Sequence, residues 1–227
     1  MITAIAFDLD DTLYDEIDYC RSGFLSVSRF LAKLSDISCS DGVFACFWKH
    51  FNAGNRTRTF NAALDDIGIT HDEHLIAQLV EVYRNHRPAI SLPLDSRAAL
   101  DELKDGHVLA LLTDGFMPAQ RFKVQALGVE GYFEAIMYTE ELGREFWKPS
   151  PVGFRRLSEM LDVPPGQMVY VADNESKDFV APNQLGMLTV QVLRPARLHT
   201  DVYPRPSAAA RFRIDCLSEL SAVLRNA

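Results

Sequence analysis

At 227 residues, with 48% hydrophobic and 24% charged side chains, the chain is long enough for one ordinary domain plus an inserted module and too apolar to be disordered. A formal net charge of −8 argues against nucleic acid or an anionic membrane surface as the main partner. Small anionic substrates stay compatible with it, because a local cluster of cations or a metal overrides the global sign. The four cysteines, Cys20, Cys39, Cys46 and Cys216, show neither a CxxC spacing nor a His partner at a zinc-like interval, which reads as thiols in a reducing compartment. Met1 leads directly into a strand-like run without a basic or apolar leader, and no stretch approaches the roughly 18 apolar residues of a membrane span. The expected location is the cytoplasm.

The chain opens on an apolar run of strand length, Ile2 with Ala4 to Phe7, followed at once by Asp8, Asp10 and Asp11 and then the hydroxyl of Thr12. Carboxylates this close raise one another's pKa unless a cation holds them together, so the local chemistry suggests a hard metal ion. From about Asp15 to Pro88 the apolar residues recur at helical spacing and strand-like runs are absent. Phe24, Val27, Phe30, Leu31 and Leu34 make one stripe and Val43, Phe44, Phe47, Trp48 and Phe51 another, with Asp41 as the expected N-cap of the second helix. A third helix is expected over Thr59 to Ile67, closed by Gly68, and a fourth from about Asp72 to Arg87, where Pro88 stops it.

The chain then alternates. The pattern predicts helices over Ser96 to Lys104, Ala119 to Leu127, Val152 to Leu161, Asp178 to Leu185 and Leu217 to Leu224. Strands are expected over His107 to Leu112, Ala135 to Tyr138, Met168 to Ala172, Leu188 to Leu193 and Phe212 to Ile214. This alternation implies right-handed crossovers and an α/β fold: a Rossmann-like, doubly wound, mostly parallel sheet, with an all-helical domain inserted after the first strand. The domain expectation is a core of residues 1–15 and 91–227 with a helical cap of residues 16–90.

Polar groups gather where apolar strands stop: Asp8 and Asp10, Thr113 at the end of VLALLT, Lys148 in WKPSP, and Asp173 and Asp178 in VADNESKDF. The stretch AIAFDLDDTL resembles the first motif, DxDxT, of the haloacid dehalogenase superfamily of aspartate-nucleophile phosphohydrolases. The later groups match the superfamily's remaining motifs in order and type, from Ile2 to about Gly186. Two departures stand out: Asp11 where many relatives have Gly, and Ala172 where relatives often have Gly or an acid.

The resemblance implies a Mg²⁺ site made by the Asp8 carboxylate, the Asp10 backbone carbonyl and the Asp173 carboxylate. It also implies Asp8 as the nucleophile that forms an aspartyl-phosphate and Asp10 as acid and base, with the metal on Asp8 leaving Asp10 free to carry a proton. Thr113, the backbone N–H groups of Asp114 and Gly115, and Lys148 would hold the phosphate, and Asp178 would orient Lys148 or a metal-bound water.

Haloacid dehalogenases need neither the metal nor the acid at Asp10, so the residues favour a phosphomonoesterase acting on a small phosphorylated metabolite, such as a sugar phosphate or nucleotide. A phosphomutase of the same fold, a 2-haloacid dehalogenase and a non-catalytic metabolite-binding module are the rival readings. Specificity is expected in the cap. There Arg56 and Arg58 of NAGNRTRTF are candidate substrate contacts, although an exposed loop of solvated arginines is the simpler reading of either one alone. Glu16, Tyr19 and Cys20 are expected near the mouth of the site. Neither a nucleic-acid nor a membrane partner is expected, and the oligomer is expected to be a monomer or homodimer.

Overall fold

A computed structural model describes residues 1–34, 40–200 and 206–226. Strand β1 (Ala4–Phe7) is buried along its whole length. A strand without polar alternation is buried on both faces, which in a parallel sheet means helices on either side. Four helices follow with no strand between them: α1 (Glu16–Leu34), α2 (Ser40–Asn52), α3 (Thr59–Asp66) and α4 (Glu73–Asn85). The chain then alternates through α5 (Leu94–Leu103), β2 (Val108–Thr113), α6 (Ala119–Leu127), β3 (Ala135–Tyr138), α7 (Val152–Leu161), β4 (Met168–Ala172), α8 (Val180–Leu185), β5 (Leu188–Val192), β6 (Phe212–Ile214) and α9 (Leu220–Arg225), with short 3₁₀ turns between them.

The six strands form one sheet in the order β3-β2-β1-β4-β5-β6, and every neighbouring pair is parallel. Strand order reverses on either side of β1, and such a reversal opens a crevice at the carboxyl ends of the strands. Register decides what meets there. Phe7 stands level with Leu111 and Val171, so Asp8, Thr113 and Asp173 leave the sheet within one residue of the same level.

One face of the sheet is built from small residues, Ala4, Ala6, Ala110 and Ala172, which leave room for Phe154 and Leu157 of α7. The Phe154 ring meets that of Tyr170 edge-on at 4.8 Å. The alternate positions, Ile5, Phe7, Leu109, Leu111, Val169 and Val171, are buried against the other side.

The chain divides into two compact units, Met1–Ile17 with Ser91–Ala227, and Asp18–Ile90. In the second, Phe24 of the first apolar stripe is the hub. Its ring centroid lies 6.0 Å from Phe47, 5.3 Å from Phe51, 5.9 Å from Phe60 and 5.4 Å from Tyr83, so residues from all four helices share one aromatic core. Among the described residues, no helix is long and apolar enough to cross a membrane.

Three local expectations are corrected. Asp41 lies inside the first turn of α2, which already includes Ser40; there its charge meets the helix dipole instead of capping it. The helix expected from Asp178 starts at Val180, because the Asp178 carboxylate turns back to accept from the backbone N–H of Asn174 at 3.0 Å. Leu217 to Leu224 splits into a 3₁₀ turn, Leu217–Glu219, and α9.

Gly23 sits in the interior of α1, where alanine would ordinarily stabilise a helix by about 0.5–1 kcal/mol. Here a Cβ would stand 2.5 Å from Cε2 of Tyr83, a ring fixed in the aromatic core. Gly23→Ala is therefore expected to have the opposite sign and destabilise the protein by about 1–3 kcal/mol, the usual cost of overpacking. Urea denaturation followed by far-ultraviolet circular dichroism checks it.

Candidate active site

The pocket at the strand ends is lined by Asp10, Asp11, Glu16, Asp114, Trp147, Lys148, Asp173, Asn174, Ser176, Lys177 and His199, around a volume of about 390 Å³. Asp8 leaves β1 with its N–H bonded to the Val171 carbonyl at 2.9 Å, which fixes its backbone to the neighbouring strand. Its side chain is buried, and the Lys148 ammonium lies 2.9 Å from Oδ2. The same ammonium is 2.6 Å from Asp178 Oδ1 and 3.0 Å from the Tyr170 hydroxyl. Burial alone would push an ammonium's pKa down, but Asp178 and Asp8 outweigh it and hold Lys148 well above its ordinary value. Burial pushes Asp8 up to about 6 against the pull of Lys148.

Asp173 is held differently. One oxygen of each of Asp8, Asp173 and Asp178 falls within 4.8 Å of the others. Lys148, Tyr170 and the Asn174 N–H occupy both oxygens of Asp178. Among the described residues, Asp173 Oδ2 is buried with no hydrogen-bond partner. Burial, then the charges of Asp178 and Asp8, push Asp173 up to about 9. A buried, orphaned carboxylate oxygen beside a second carboxylate is the donor set of a hard divalent cation, so these residues fit one, with Asp8 and Asp173 as its carboxylates.

The two oxygens of Asp10 are fully engaged. Oδ1 accepts from the Tyr14 hydroxyl at 2.5 Å and from Lys123 Nζ at 2.8 Å, while Oδ2 accepts from Gln120 Nε2 at 2.8 Å and Lys123 Nζ at 2.9 Å. Burial acts to raise the Asp10 pKa, but Lys123, Tyr14 and Gln120 together hold it below the usual carboxylate range. At rest Asp10 is thus a carboxylate held by an ammonium. Sequence reading missed Gln120 and Lys123. Their signal was the i,i+3 spacing on the helix that follows the Thr113 loop, which puts both on one face.

Thr113 is buried and its hydroxyl accepts from Gln120 Nε2 at 2.7 Å. Asp114 supplies more than its backbone: its carboxylate accepts from the Thr139 hydroxyl at 2.6 Å and from the Lys148 N–H at 3.1 Å, and so ties the β2 loop to the Lys148 loop. Gly115 has φ 141°, and a Cβ there would stand 2.7 Å from Cδ of Gln120, so the side chain that braces Asp10 requires glycine at this turn. Asp11 adopts φ 53°, and its carboxylate accepts from the Glu16 N–H at 2.8 Å and the Leu198 N–H at 2.6 Å. It shapes the turn into α1, as asparagine or aspartate can at positive φ. Glu16 and Lys177 line the pocket, and the Lys177 ammonium is 4.0 Å from Asp114.

Tyr19, Cys20, Arg56 and Arg58 belong to the unit Asp18–Ile90. There the Arg56 guanidinium lies 3.9 Å from the ring centroid of Phe51, and the Arg58 N–H is bonded to Asn55 Oδ1 at 3.1 Å.

The family profile of haloacid dehalogenase-like hydrolases matches residues 2–186. A glyceraldehyde 3-phosphate phosphatase of Methanopyrus kandleri is 30% identical over 233 residues, covering 99% of this chain and 98% of that one. An N-acylneuraminate-9-phosphatase of Mus musculus is 28% identical over 240 residues, covering 99% of this chain and 94% of its own. The crystal structure of a 2-haloacid dehalogenase from Pseudomonas syringae superposes with a TM-score of 0.69 at 24% identity, covering 100% and 99% of the two chains, a likeness that establishes the fold. The chain belongs to the haloacid dehalogenase-like hydrolases.

Two substitutions separate the roles of the buried charges. Lys148→Met leaves Asp8 and Asp178 buried with no ammonium between them and is expected to cost about 3–5 kcal/mol in urea denaturation. Asp173 has a folded-state pKa above its unfolded value, so its burial costs stability as pH rises from about 4 towards about 9. Asp173→Asn is expected to raise the thermal midpoint of the metal-free protein at neutral pH. Wild type is expected to gain thermal midpoint on adding Mg²⁺, and the same variant is expected to lose that gain. Melts in a chelator and in Mg²⁺ read both effects.

Proposed function

We propose that the protein is a Mg²⁺-dependent phosphomonoesterase that acts through an aspartyl-phosphate on Asp8. The observation that carries this reading is the contrast between two carboxylates two residues apart. Asp8 is buried beside Lys148 and the orphaned Asp173, and Asp10 is clamped by Lys123 and Gln120. Asp8 and Asp173 would hold the cation, which would supply charge neutralisation for the phosphoryl group and keep Asp8 ionised.

Asp8 then attacks phosphorus in line, its free oxygen displacing the ester oxygen, while Lys148 offsets the charge gathering on the equatorial oxygens. Lys148 also holds Asp8 in one rotamer, because its ammonium is shared with Asp178. Asp10 faces the same pocket. A substrate dianion arriving there raises the Asp10 pKa, so Asp10 takes up a proton from solvent, and that proton passes to the leaving alkoxide as the P–O bond breaks. Once the alcohol departs, Lys123 favours the carboxylate form, which accepts a proton from the water that hydrolyses the aspartyl-phosphate.

The substrate is proposed to be a small phosphorylated carbohydrate. The activities for which the two relatives are named and the volume of the pocket support this. Residues 16–90 are proposed as a cap that sets specificity, with Arg56 and Arg58 as candidate contacts. The protein is proposed to be cytoplasmic and a monomer or homodimer.

Assayed with Mg²⁺ against a panel of phosphate esters, wild type is expected to release inorganic phosphate. Asp8→Asn should lose about a thousandfold or more in kcat, and Asp10→Asn about 10²–10⁴-fold. Lys123→Met should show a smaller loss that falls on kcat and leaves KM unchanged, because it acts through Asp10. Full activity in Asp8→Asn, or isomerisation of a sugar phosphate without phosphate release, would overturn the reading.

A further inference from the structure

The unit Asp18–Ile90 carries a cluster of metal-ligating side chains of its own. Cys46 and His50 are one turn apart on α2, a spacing that puts both on one face of the helix. Asp66, the last residue of α3, meets them: its Oδ2 lies 2.9 Å from His50 Nε2 and 3.9 Å from Cys46 Sγ. The three donor atoms fall within 4.8 Å of one another. This corrects the reading that no cysteine has a His partner at a useful interval. Cys46 has one four residues on, and the third donor arrives only through the packing of α3 on α2.

We propose that Cys46, His50 and Asp66 bind a Zn²⁺-type transition-metal ion that staples α2 to α3. A thiolate, an imidazole and a carboxylate are the ligands zinc takes, whereas Mg²⁺ and Ca²⁺ take oxygen. A tetrahedral ion with bonds of about 2.3 Å to sulfur and about 2.1 Å to nitrogen and oxygen spaces its ligands by about 3.4–3.7 Å. The two distances to Asp66, 2.9 and 3.9 Å, bracket that spacing, and the Cys46 and His50 donor atoms, within 4.8 Å of each other, close on the ion as it binds, with water in the fourth position.

The competing arrangement is an ion pair, since Lys49 Nζ also lies 2.8 Å from Asp66 Oδ2. The Lys49 side chain is 69% exposed, and solvent screens an ion pair that open, so an incoming ion displaces it at little cost. The Cys46 thiol donates to the Ala63 carbonyl at 3.5 Å, and the ion takes the thiolate while that proton leaves to solvent. A nucleophilic triad would need the imidazole between thiol and carboxylate; here the Asp66 oxygen touches both. The ligands bracket residues 46–66, so the ion fixes both ends of the segment that carries Arg56 and Arg58.

Co²⁺ substitution tests this without an activity readout. Full-length protein cleared of metal by chelation is expected to show, on Co²⁺ titration, a thiolate-to-cobalt charge-transfer band that saturates at one equivalent per chain. The band should persist in the Asp8→Asn, Asp173→Asn double variant, whose oxygen ligands give no such band, and in Cys216→Ser. It should be lost in Cys46→Ser and in His50→Ala, each checked for native circular dichroism. Lys49→Met keeps all three ligands and removes the competitor, and should tighten Co²⁺ binding and enlarge the rise in thermal midpoint that Zn²⁺ produces. The absence of a band in wild type, or a band unchanged in Cys46→Ser, would overturn the proposal.

Discussion

The Lys148 ammonium, shared between Asp8 and Asp178 beneath the carboxyl edge of the sheet, is the contact on which the rest of the site depends. Two like charges about 4 Å apart repel by about 4 kcal/mol at an effective dielectric of 20, and an ion pair gains a similar amount. The Lys148 ammonium, with a weaker pull from Lys177, offsets part of the repulsion among Asp8, Asp173 and Asp178 and leaves the buried Asp173 pushed up by burial and by its neighbours' charge. The surplus is negative charge with an orphaned oxygen, in the one place where the parallel topology delivers several strand ends at the same level. Conflict of this kind between local chemistry and folding is the mark of a functional site.

Asp8 and Asp10 are chemically identical and two residues apart, yet their surroundings divide them. Asp8 is pushed up by burial, and Asp10 is held down by Lys123, Tyr14 and Gln120 against the same burial. The division comes from α6, the helix that follows β2, so the strand pairing of β1 with β2 brings Asp10 its counter-charge. Gly115 belongs to the same device, because its missing Cβ is the space that the Gln120 side chain uses.

The Asp18–Ile90 unit obeys different rules. Its stability rests on an aromatic core that admits no extra methyl at Gly23, and its surface loop carries the arginines proposed to read substrate. Among the described residues, the two clusters proposed to hold metal differ in hardness, oxygen alone at Asp8 and Asp173 and sulfur, nitrogen and oxygen at Cys46, His50 and Asp66. Ligand type thus gives the two positions preference for different ions.

The sequence by itself determined the strands, the four-helix insertion and the strand-end position of Asp8, Thr113 and Asp173. Those features rest on local periodicity and on charge placed abruptly after an apolar run. What it left undecided was every pairing between distant residues. Lys123 and Gln120 look like ordinary polar positions on an amphipathic helix, and Asp66 looks like one more exposed acid. Asp114 looks like a turn residue, although its side chain binds the loop of Lys148. Only the tertiary structure decided that Asp10 rests as a clamped carboxylate and that Cys46 and His50 face Asp66. The reason is physical: a carboxylate's role is set by the cations and donors within about 4 Å of it, and those arrive by strand register and helix packing from residues 113 positions away in the first case and 16 in the second.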